Sequence, residues 1–123
     1  MFAFNTVADN EIQNTGLSAG GVTCDILGFV ASNNIIVRNF IDNDPNRGNS
    51  NRLGQCEHSS STIASTVSGL NFASPDNAPH NYHIQRGSSA IDQAATPSTL
   101  AVDIDGDPRP QGNARDQGAD EVP

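Results

Sequence analysis

A six-residue pattern occurs twice near the start of the chain, and it constrains the fold more than any other feature. Asn-Thr-Val-Ala-Asp-Asn occupies residues 5–10 and Asn-Ile-Ile-Val-Arg-Asn occupies residues 34–39, so the two copies lie 29 positions apart. Repeats of this length with β-branched central residues are typical of the coils of a β-solenoid, where each strand pairs in parallel with its copy. The alternative is a chance recurrence in a chain rich in asparagine.

The asparagines of this pattern predict how neighbouring coils are held together. Equivalent residues of stacked strands lie about 4.8 Å apart, which a side-chain amide can span. We therefore expect Asn5 to hydrogen-bond Asn34, and Asn10 to hydrogen-bond Asn39, as ladders at the turns.

Further segments of alternating apolar and polar residues supply the remaining strands. They cover residues 11–15, 22–30, 62–68 and 81–85, and turns rich in Gly, Pro, Asn and Asp separate them. No uninterrupted 3.6-residue period extends past about ten residues, which argues against amphipathic helices. The chain is therefore predicted to be all-β, with about four coils in residues 1–86.

Three carboxylates alternate with other residues in the C-terminal part of the chain. Asp103, Asp105 and Asp107 would lie on one side of an extended segment, where they repel one another unless a cation, an arginine or backbone N–H groups offset the charge. Arg109 and Arg115 are close in sequence. The segment is therefore either a polar turn held by Arg–Asp pairs or a calcium site formed by the three aspartates.

An EF-hand loop matches this segment poorly. With Asp103 as the first position, the sixth position is Pro108 instead of Gly and the twelfth is Ala114 instead of Glu. A calcium site here would therefore have another geometry.

The C-terminal segment resembles a known signature. Ser89-Ala90-Ile91-Asp92, the run Asp-Ile-Asp-Gly-Asp-Pro-Arg-Pro-Gln-Gly at 103–112 and Asp-Gln-Gly-Ala-Asp-Glu at 116–121 are similar to the end of bacterial right-handed parallel β-helix repeat proteins of the choice-of-anchor Q domain type. Two positions depart from that pattern, since Pro is missing before Ala90 and Gln117 stands where Ile is usual. The resemblance implies a short right-handed parallel β-helix in which residues 87–123 form a capping segment of the same domain.

The resemblance also implies a class of function. It points to a non-catalytic structural, adhesive or binding module of a bacterial surface or secreted protein, without a required cofactor. An extracellular or cell-surface location follows from the resemblance alone. A signal peptide is not recognised at the first residues, which lack a basic region and a long apolar stretch.

Two other classes of function remain open. A fragment of a carbohydrate-active enzyme, a polysaccharide lyase or hydrolase, needs paired carboxylates or an Asp–calcium–Arg set on one face. The polar loop 42–55 offers Asp42 and Asp44 beside Arg38 or Arg52 for that purpose. The other class is a small self-assembling protein that binds calcium through the three C-terminal aspartates.

The two cysteines have two alternative states. Cys24 and Cys56 are 32 positions apart, close to the length of one coil, so they can lie on neighbouring coils at disulfide distance. They are either bridged, which would indicate an oxidising compartment, or separate buried thiols.

The three histidines do not indicate a metal centre. His58, His80 and His83 form no recognised zinc spacing with the cysteines. In a strand His83 points away from the side of Tyr82 and Ile84, and a solvated side chain is expected there rather than a base.

Charge and composition exclude some partners. The formal net charge is −8 and lysine is absent, which argues against nucleic acid and anionic membranes. No segment approaches the roughly 20 apolar residues of a membrane span. A carbohydrate ligand would have few stacking aromatics to use, among them Phe40, Phe72 and Tyr82.

The N-terminal end of the predicted stack has no cap. It would expose strand edges together with Phe2, Phe4 and Val7, which favours association. We expect either that the chain ends a longer β-helix or that two chains stack by these ends as a homodimer.

Overall fold

The structure is a computed structural model that describes residues 1–13, 19–41, 50–95 and 99–123. Those residues form short strands and no helix, so the predicted all-β class is confirmed, and they contain no helix that could cross a bilayer. The strands are β1 (Thr6–Ala8), β2 (Glu11–Ile12), β3 (Val22–Cys24), β4 (Val30–Ser32), β5 (Ile35–Val37), β6 (Phe40–Ile41), β7 (Arg52–Gly54), β8 (Glu57–Ser59), β9 (Thr62–Ala64), β10 (Phe72–Ser74) and β11 (Asn81–Ile84).

Most strands pair in parallel with a strand that follows several elements later. The order β1-β5-β9 forms one sheet in which Thr6 lies beside Ile35 and Ile35 beside Thr62. Three further parallel pairs are β2 with β6, β3 with β7 and β4 with β8. β10 and β11 form an antiparallel pair. The pairing of β1 with β5 aligns the two copies of the six-residue pattern.

A left-handed residue precedes each strand of the sheet β1-β5-β9. Phe4, Asn33 and Ser60 have φ values of 57°, 58° and 46°, and each is followed by a polar residue that begins the next segment. Asp9 and Arg38, with φ of 56° and 57°, bend the chain again after β1 and β5. The left-handed region is sterically unfavourable for residues other than Gly. Equivalent bends in successive segments bring their strands into register.

The predicted asparagine ladders are confirmed. The backbone N–H and Nδ2 of Asn5 both donate to Oδ1 of Asn34 at 3.0 Å. Nδ2 of Asn10 donates to Oδ1 of Asn39 at 2.9 Å. Asn34 and Asn39 are fully buried, so these bonds satisfy amides that water does not reach.

Asn51 forms the third rung of the second ladder. Its Oδ1 accepts from Nδ2 of Asn39 at 3.0 Å, and its Nδ2 donates to the carbonyl of Ala64 at 2.8 Å. Asn39 donates in the same way to the carbonyl of Val37, which is the β-partner of Ala64. The third rung therefore comes from the residue before β7, outside the six-residue pattern.

A hydrophobic cluster of buried residues is built on one face of the sheet β1-β5-β9. Ile36 lies between two members of this cluster, so the strand pleat turns its side chain to the opposite face, where it is also fully buried. Both faces of β5 are thus covered. The buried members of the cluster are Ile35, Val37, Leu70, Phe72, Ile84 and Ala90.

The C-terminal segment crosses this sheet from β9 to β1. The hydroxyl of Thr62 donates to Oε1 of Gln117 at 2.5 Å, Gly118 donates its N–H to the turn before β5 at 2.9 Å, and Ala119 donates to Oγ1 of Thr6 at 3.1 Å. Three consecutive residues therefore contact three consecutive strands. Residues 117–119 therefore lie across the sheet β1-β5-β9, and the capping role of residues 87–123 stays a prediction.

Gly118 is required at the centre of this crossing. Its φ is +87°, and a Cβ atom there would lie 2.7 Å from Cδ1 of Ile35 and 2.8 Å from Oγ1 of Thr6. Any larger residue would push the segment off the sheet or strain the backbone.

Arg109 holds the C-terminal segment together from inside. Its Nη2 donates to the carbonyls of Gly118 and Asp120, both at 3.0 Å, and its Nη1 lies 3.6 Å from the fully buried carboxylate of Glu121. Burial lowers the pKa of Arg109, while Glu121 opposes that change. An ion pair buried this deeply is costly to break because it would leave one charge uncompensated.

The N-terminal aromatic residue is not exposed as expected. Phe4 is only 7% exposed, because the guanidinium of Arg109 lies 4.9 Å from its ring centroid. Phe2 and Val7 are partly buried. The expectation that these residues form an open apolar end was therefore wrong for Phe4, since it did not account for the C-terminal segment reaching β1.

Candidate functional site

Strand β11 places two polar side chains on opposite sides, and each meets a separate cluster. Tyr82 joins what we call the arginine network, made of Asp9, Arg38, Asp76 and Tyr82. His83 joins what we call the histidine cluster, made of His83, Asp105 and Asp120.

In the arginine network one carboxylate is held by two elements. Nε and Nη2 of Arg38 donate to the two oxygens of Asp9 at 2.5 and 2.6 Å, which is a bidentate pair. The hydroxyl of Tyr82 donates to the same carboxylate. Arg38 also pairs with Asp76 and donates to the carbonyl of Pro75 at 2.8 Å. The network therefore ties the bend after β1 to the β10–β11 hairpin.

The charges of this network shift its pKa values. Burial opposes ionisation of Asp9, but hydrogen bonds from Arg38 and Tyr82 outweigh it and lower the pKa of that carboxyl. The hydrogen bond to Asp9 raises the pKa of Arg38. Burial and the hydrogen bond to Asp9 raise the pKa of Tyr82 to about 12. At neutral pH Asp9 is an anion, Arg38 a cation and Tyr82 a neutral phenol.

This arrangement is poorly suited to proton abstraction. Both oxygens of Asp9 accept hydrogen bonds, and Arg38 is already paired with two carboxylates. Asp42 and Asp44, the other acidic members of the enzyme hypothesis, lie outside the described residues. Arg52 lies exposed on β7. The structure thus brings no free acid and base together from that set within the residues it describes.

In the histidine cluster an imidazole lies beside two carboxylates. Nε2 of His83 lies 2.9 Å from Oδ2 of Asp105. One potential ligand atom from each of His83, Asp105 and Asp120 lies within 4.8 Å of the other two. His83 and Asp105 are exposed, whereas Asp120 is only 8% exposed. These are the described residues best placed to hold a metal ion together.

Asn81 fixes the orientation of the imidazole. Oδ1 of Asn81 accepts the backbone N–H of His83 at 2.9 Å, which identifies this atom as the amide oxygen. The same oxygen lies 2.6 Å from Nδ1 of His83, so Nδ1 carries a proton and donates it. The other ring nitrogen, Nε2, is then free of a proton in the neutral imidazole and points toward Asp105.

Asp120 is anchored by the backbone of β11. Its Oδ2 accepts the N–H of Ile84 at 2.8 Å. Burial raises the pKa of Asp120, and the nearby His83 opposes that change. Hydrogen bonds from the backbone N–H groups of Ile84 and Glu121 oppose it as well.

A cavity of about 250 Å³ opens beside the histidine cluster. Its walls come from β1, β11 and the C-terminal segment, and they are mostly apolar. The lining residues are Thr6, Tyr82, His83, Ile104, Ala119 and Asp120.

The three aspartates of the predicted calcium site are not arranged on one side of an extended strand. Residues 103–107 form a turn, closed by the N–H of Asp103 on the carbonyl of Asp107 at 2.9 Å. Oδ1 of Asp103 accepts the N–H groups of Asp105 and Asp107 at 2.9 and 2.8 Å. Burial opposes ionisation of Asp103, but these N–H groups lower its pKa. Gly106 supplies the positive φ, 91°, that such a tight turn requires.

Cys24 and Cys56 form a disulfide in the structure, with their Cα atoms 5.6 Å apart. The bridge joins the end of β3 to the residue before β8. It therefore connects two of the parallel strand pairs.

Comparisons with family models, with curated proteins and with solved structures found no match to this chain. The resemblance of the C-terminal segment therefore stays a prediction. The histidine cluster was missed by the sequence analysis, which treated His83 as solvated and Asp120 only as part of a signature. The one signal in the sequence was the placement of His83 between Tyr82 and Ile84, which turns it toward the opposite face.

Proposed function

We propose that this chain is a non-catalytic structural module, a short right-handed parallel β-helix of a surface or secreted bacterial protein. The observation that carries the proposal is the sheet β1-β5-β9, in which equivalent residues stack in register and Asn5–Asn34 and Asn10–Asn39 form hydrogen-bonded ladders. Stacked coils of this kind suit a rigid spacer or an adhesive surface.

The polar groups support a structural role over an enzymatic one. The arginine network consists of residues already paired with one another, which is the usual arrangement of a bracing ion pair. Buried Arg109 and Glu121 likewise serve the packing of the C-terminal segment. The disulfide between Cys24 and Cys56 supports an oxidising compartment, and an extracellular location is part of the proposal.

The proposal includes a partner for the free edge of β1. The N–H of Ile35 donates a hydrogen bond to the carbonyl of Asn5, and the N–H of Asp9 donates one to the carbonyl of Val37. By the alternation of a parallel ladder, the N–H groups of Thr6 and Ala8 then point away from β5. Within the described residues, β1 has no second partner strand.

A second copy of the chain fits this edge. Oδ1 of Asn5 and Oδ1 of Asn10 accept no hydrogen bond from any residue that the structure describes, although the equivalent atoms of Asn34 and Asn39 each accept two. Two copies related by a two-fold axis would each offer N–H donors and amide oxygens along β1. The copies thus have complementary groups, and we propose a homodimer formed by these edges.

The experiment is light scattering after size exclusion on the purified chain and on two variants. We expect a molar mass twice the 12.9 kDa of one chain. Ala8→Pro removes one outward N–H without touching the bonds to β5, so it should yield a monomer. Ala8→Val keeps the N–H and should remain a dimer.

A monomeric wild-type chain, or an Ala8→Pro variant that remains dimeric, would contradict this use of the β1 edge. Turnover of uronate or other polysaccharide substrates by the purified chain would contradict the non-catalytic assignment.

A further inference from the structure

We propose that the strand pair β4–β8 is an acid-sensitive switch, in which protonation of His58 releases β8 from β4. This switch adds a response to pH to the structural role above, and it requires neither the dimer nor the histidine cluster.

His58 turns its side chain toward the covered face of the pair. In β8 it lies beside Ala31 of β4, which is only 2% exposed. Glu57, the residue before it, points to the other face, where its partner Val30 is 45% exposed. Nδ1 of His58 is buried and has no hydrogen-bond partner among the residues that the structure describes.

The charged form of His58 does not fit this position. An imidazolium ring carries a proton on both nitrogens, whichever tautomer the neutral ring adopts. Its Nδ1–H would therefore be buried without an acceptor, and such a loss is larger for a charged group than for a neutral one. Protonation thus favours states in which this nitrogen reaches water.

The groups around His58 do not compensate its charge. Burial lowers the pKa of His58 from its ordinary value of 6.5, and the positive charge of Arg52 on β7 lowers it further. β4 consists of Val30–Ser32 and contributes no titratable group. Cys24 of β3 is held in the disulfide, and Glu57 is on the opposite face of β8. These elements therefore offer no carboxylate to His58.

The folded chain consequently binds this proton more weakly than the unfolded chain does. Because the folded pKa of His58 lies below the unfolded value of 6.5, the stability that the neutral ring contributes is fully present above pH 6.5. It is lost as the pH falls from 6.5 through the lower folded value. The switch thus responds to mild acid.

β8 is the strand that this loss releases. β4 has a neighbour on each side, since Ser32 lies beside Ala3 as well as beside Ser59. Among the described strands β8 pairs with β4 alone, and a short strand with one ladder opens at a lower free energy than the rest of a fold. The disulfide at Cys56 lies directly before β8, so the released strand stays tethered and can return when the pH rises.

The test is hydrogen exchange of the backbone amides, measured by NMR at pH 7.5 and pH 5.0 and corrected for the intrinsic effect of pH. The N–H of Glu57, which donates to the carbonyl of Phe29, reports one end of the pair. The N–H of Asn33, which donates to the carbonyl of Ser59, reports the other end. The N–H of Ile35, bonded within the sheet β1-β5-β9, is the internal control.

We expect the protection of the two reporting amides to fall severalfold at pH 5.0, while that of the control amide is kept. The limit for one group with an unfolded pKa of 6.5 is about 30-fold at this pH.

Three variants isolate the histidine. His58→Gln removes the titrating group and should make the protection independent of pH. His80→Gln is the matched control, because His80 is an exposed histidine outside this pair, and it should respond like the wild type. Arg52→Gln removes the neighbouring positive charge and should move the titration midpoint of His58 up toward 6.5.

A second measurement does not depend on variants. The carbon-bound ring protons of His58 should titrate with a midpoint below 6.5 in the folded chain. A midpoint at or above 6.5, unchanged protection at pH 5.0, the same loss in His58→Gln, or an equal loss at Ile35 would each overturn the proposal.

Discussion

Tyr82 offers a direct measurement of the arginine network, since it is the only tyrosine and the chain has no tryptophan. The ultraviolet absorbance of the phenolate therefore reports one residue. Burial and the hydrogen bond to Asp9 raise the pKa of Tyr82 from 10.0 to about 12, while Arg38 opposes the increase. We predict that the folded chain titrates in this range and that the chain unfolded in urea titrates near the ordinary value.

The pKa difference implies a dependence of stability on pH. One pKa unit corresponds to about 1.36 kcal/mol, and partial exposure of the network to solvent reduces the energy for this shift to about 1 kcal/mol. A raised pKa in the folded state means that the neutral phenol is favoured there. The contribution is fully present below pH 10, the unfolded value, and is lost as the pH rises toward about 12.

The assay is a spectrophotometric titration after rapid pH jumps, with circular dichroism recorded at each pH to verify that the chain is folded. Asp9→Asn removes the charged acceptor and should bring the pKa of Tyr82 back toward 10.0. Asp76→Asn is the matched control, because Asp76 bonds Arg38 without contacting Tyr82 through a hydrogen bond. A folded chain whose phenol titrates at its ordinary pKa, or an Asp9→Asn variant with an unchanged pKa, would refute the reasoning.

Two further predictions concern stability in urea. Gly118→Ala should lower the free energy of unfolding by about 2–3 kcal/mol, because the backbone is left-handed and the new Cβ would lie 2.7 Å from Cδ1 of Ile35. Gly28→Ala is the control for the cost of a left-handed backbone alone, because no atom lies within 4 Å of the new Cβ there. Equal losses of stability in the two variants would contradict the packing argument. Asn39→Ala should cost about 2–4 kcal/mol because it removes the buried hydrogen bonds that the Asn39 amide donates to Oδ1 of Asn51 and to the carbonyl of Val37. Exposed Asn77→Ala should cost less than about 0.5 kcal/mol, and similar values for both variants would mean that the ladder does not stabilise the fold.

The parts of the fold that the sequence predicts are those where neighbouring strands carry the same residues. Asn5 with Asn34 and Asn10 with Asn39 recur at one spacing, so the pairing of β1 with β5 follows from the pattern. The third rung, Asn51, breaks that spacing. A hydrogen bond requires only an amide at the right position in space, and a turn from another part of the chain supplies it.

The course of the C-terminal segment was not predictable from its own residues. It contacts Thr6 and Thr62 through single hydroxyl groups that are far away in sequence. Because these hydroxyl groups are not part of a repeated sequence pattern, the sequence does not indicate the contacts. The same holds for the histidine cluster. His83, Asp105 and Asp120 come from a strand, a turn and the crossing segment, and only the packing of these three brings their side chains together.

Residues 117–119 couple the three strands of the sheet β1-β5-β9 to one another. Stacked segments that touch only their neighbours can separate one at a time, from either end. Here Ala119 binds the first strand of the sheet and Gln117 binds the last, so no strand can leave without loosening a segment shared by all three. We therefore expect the three strands to unfold together rather than one at a time.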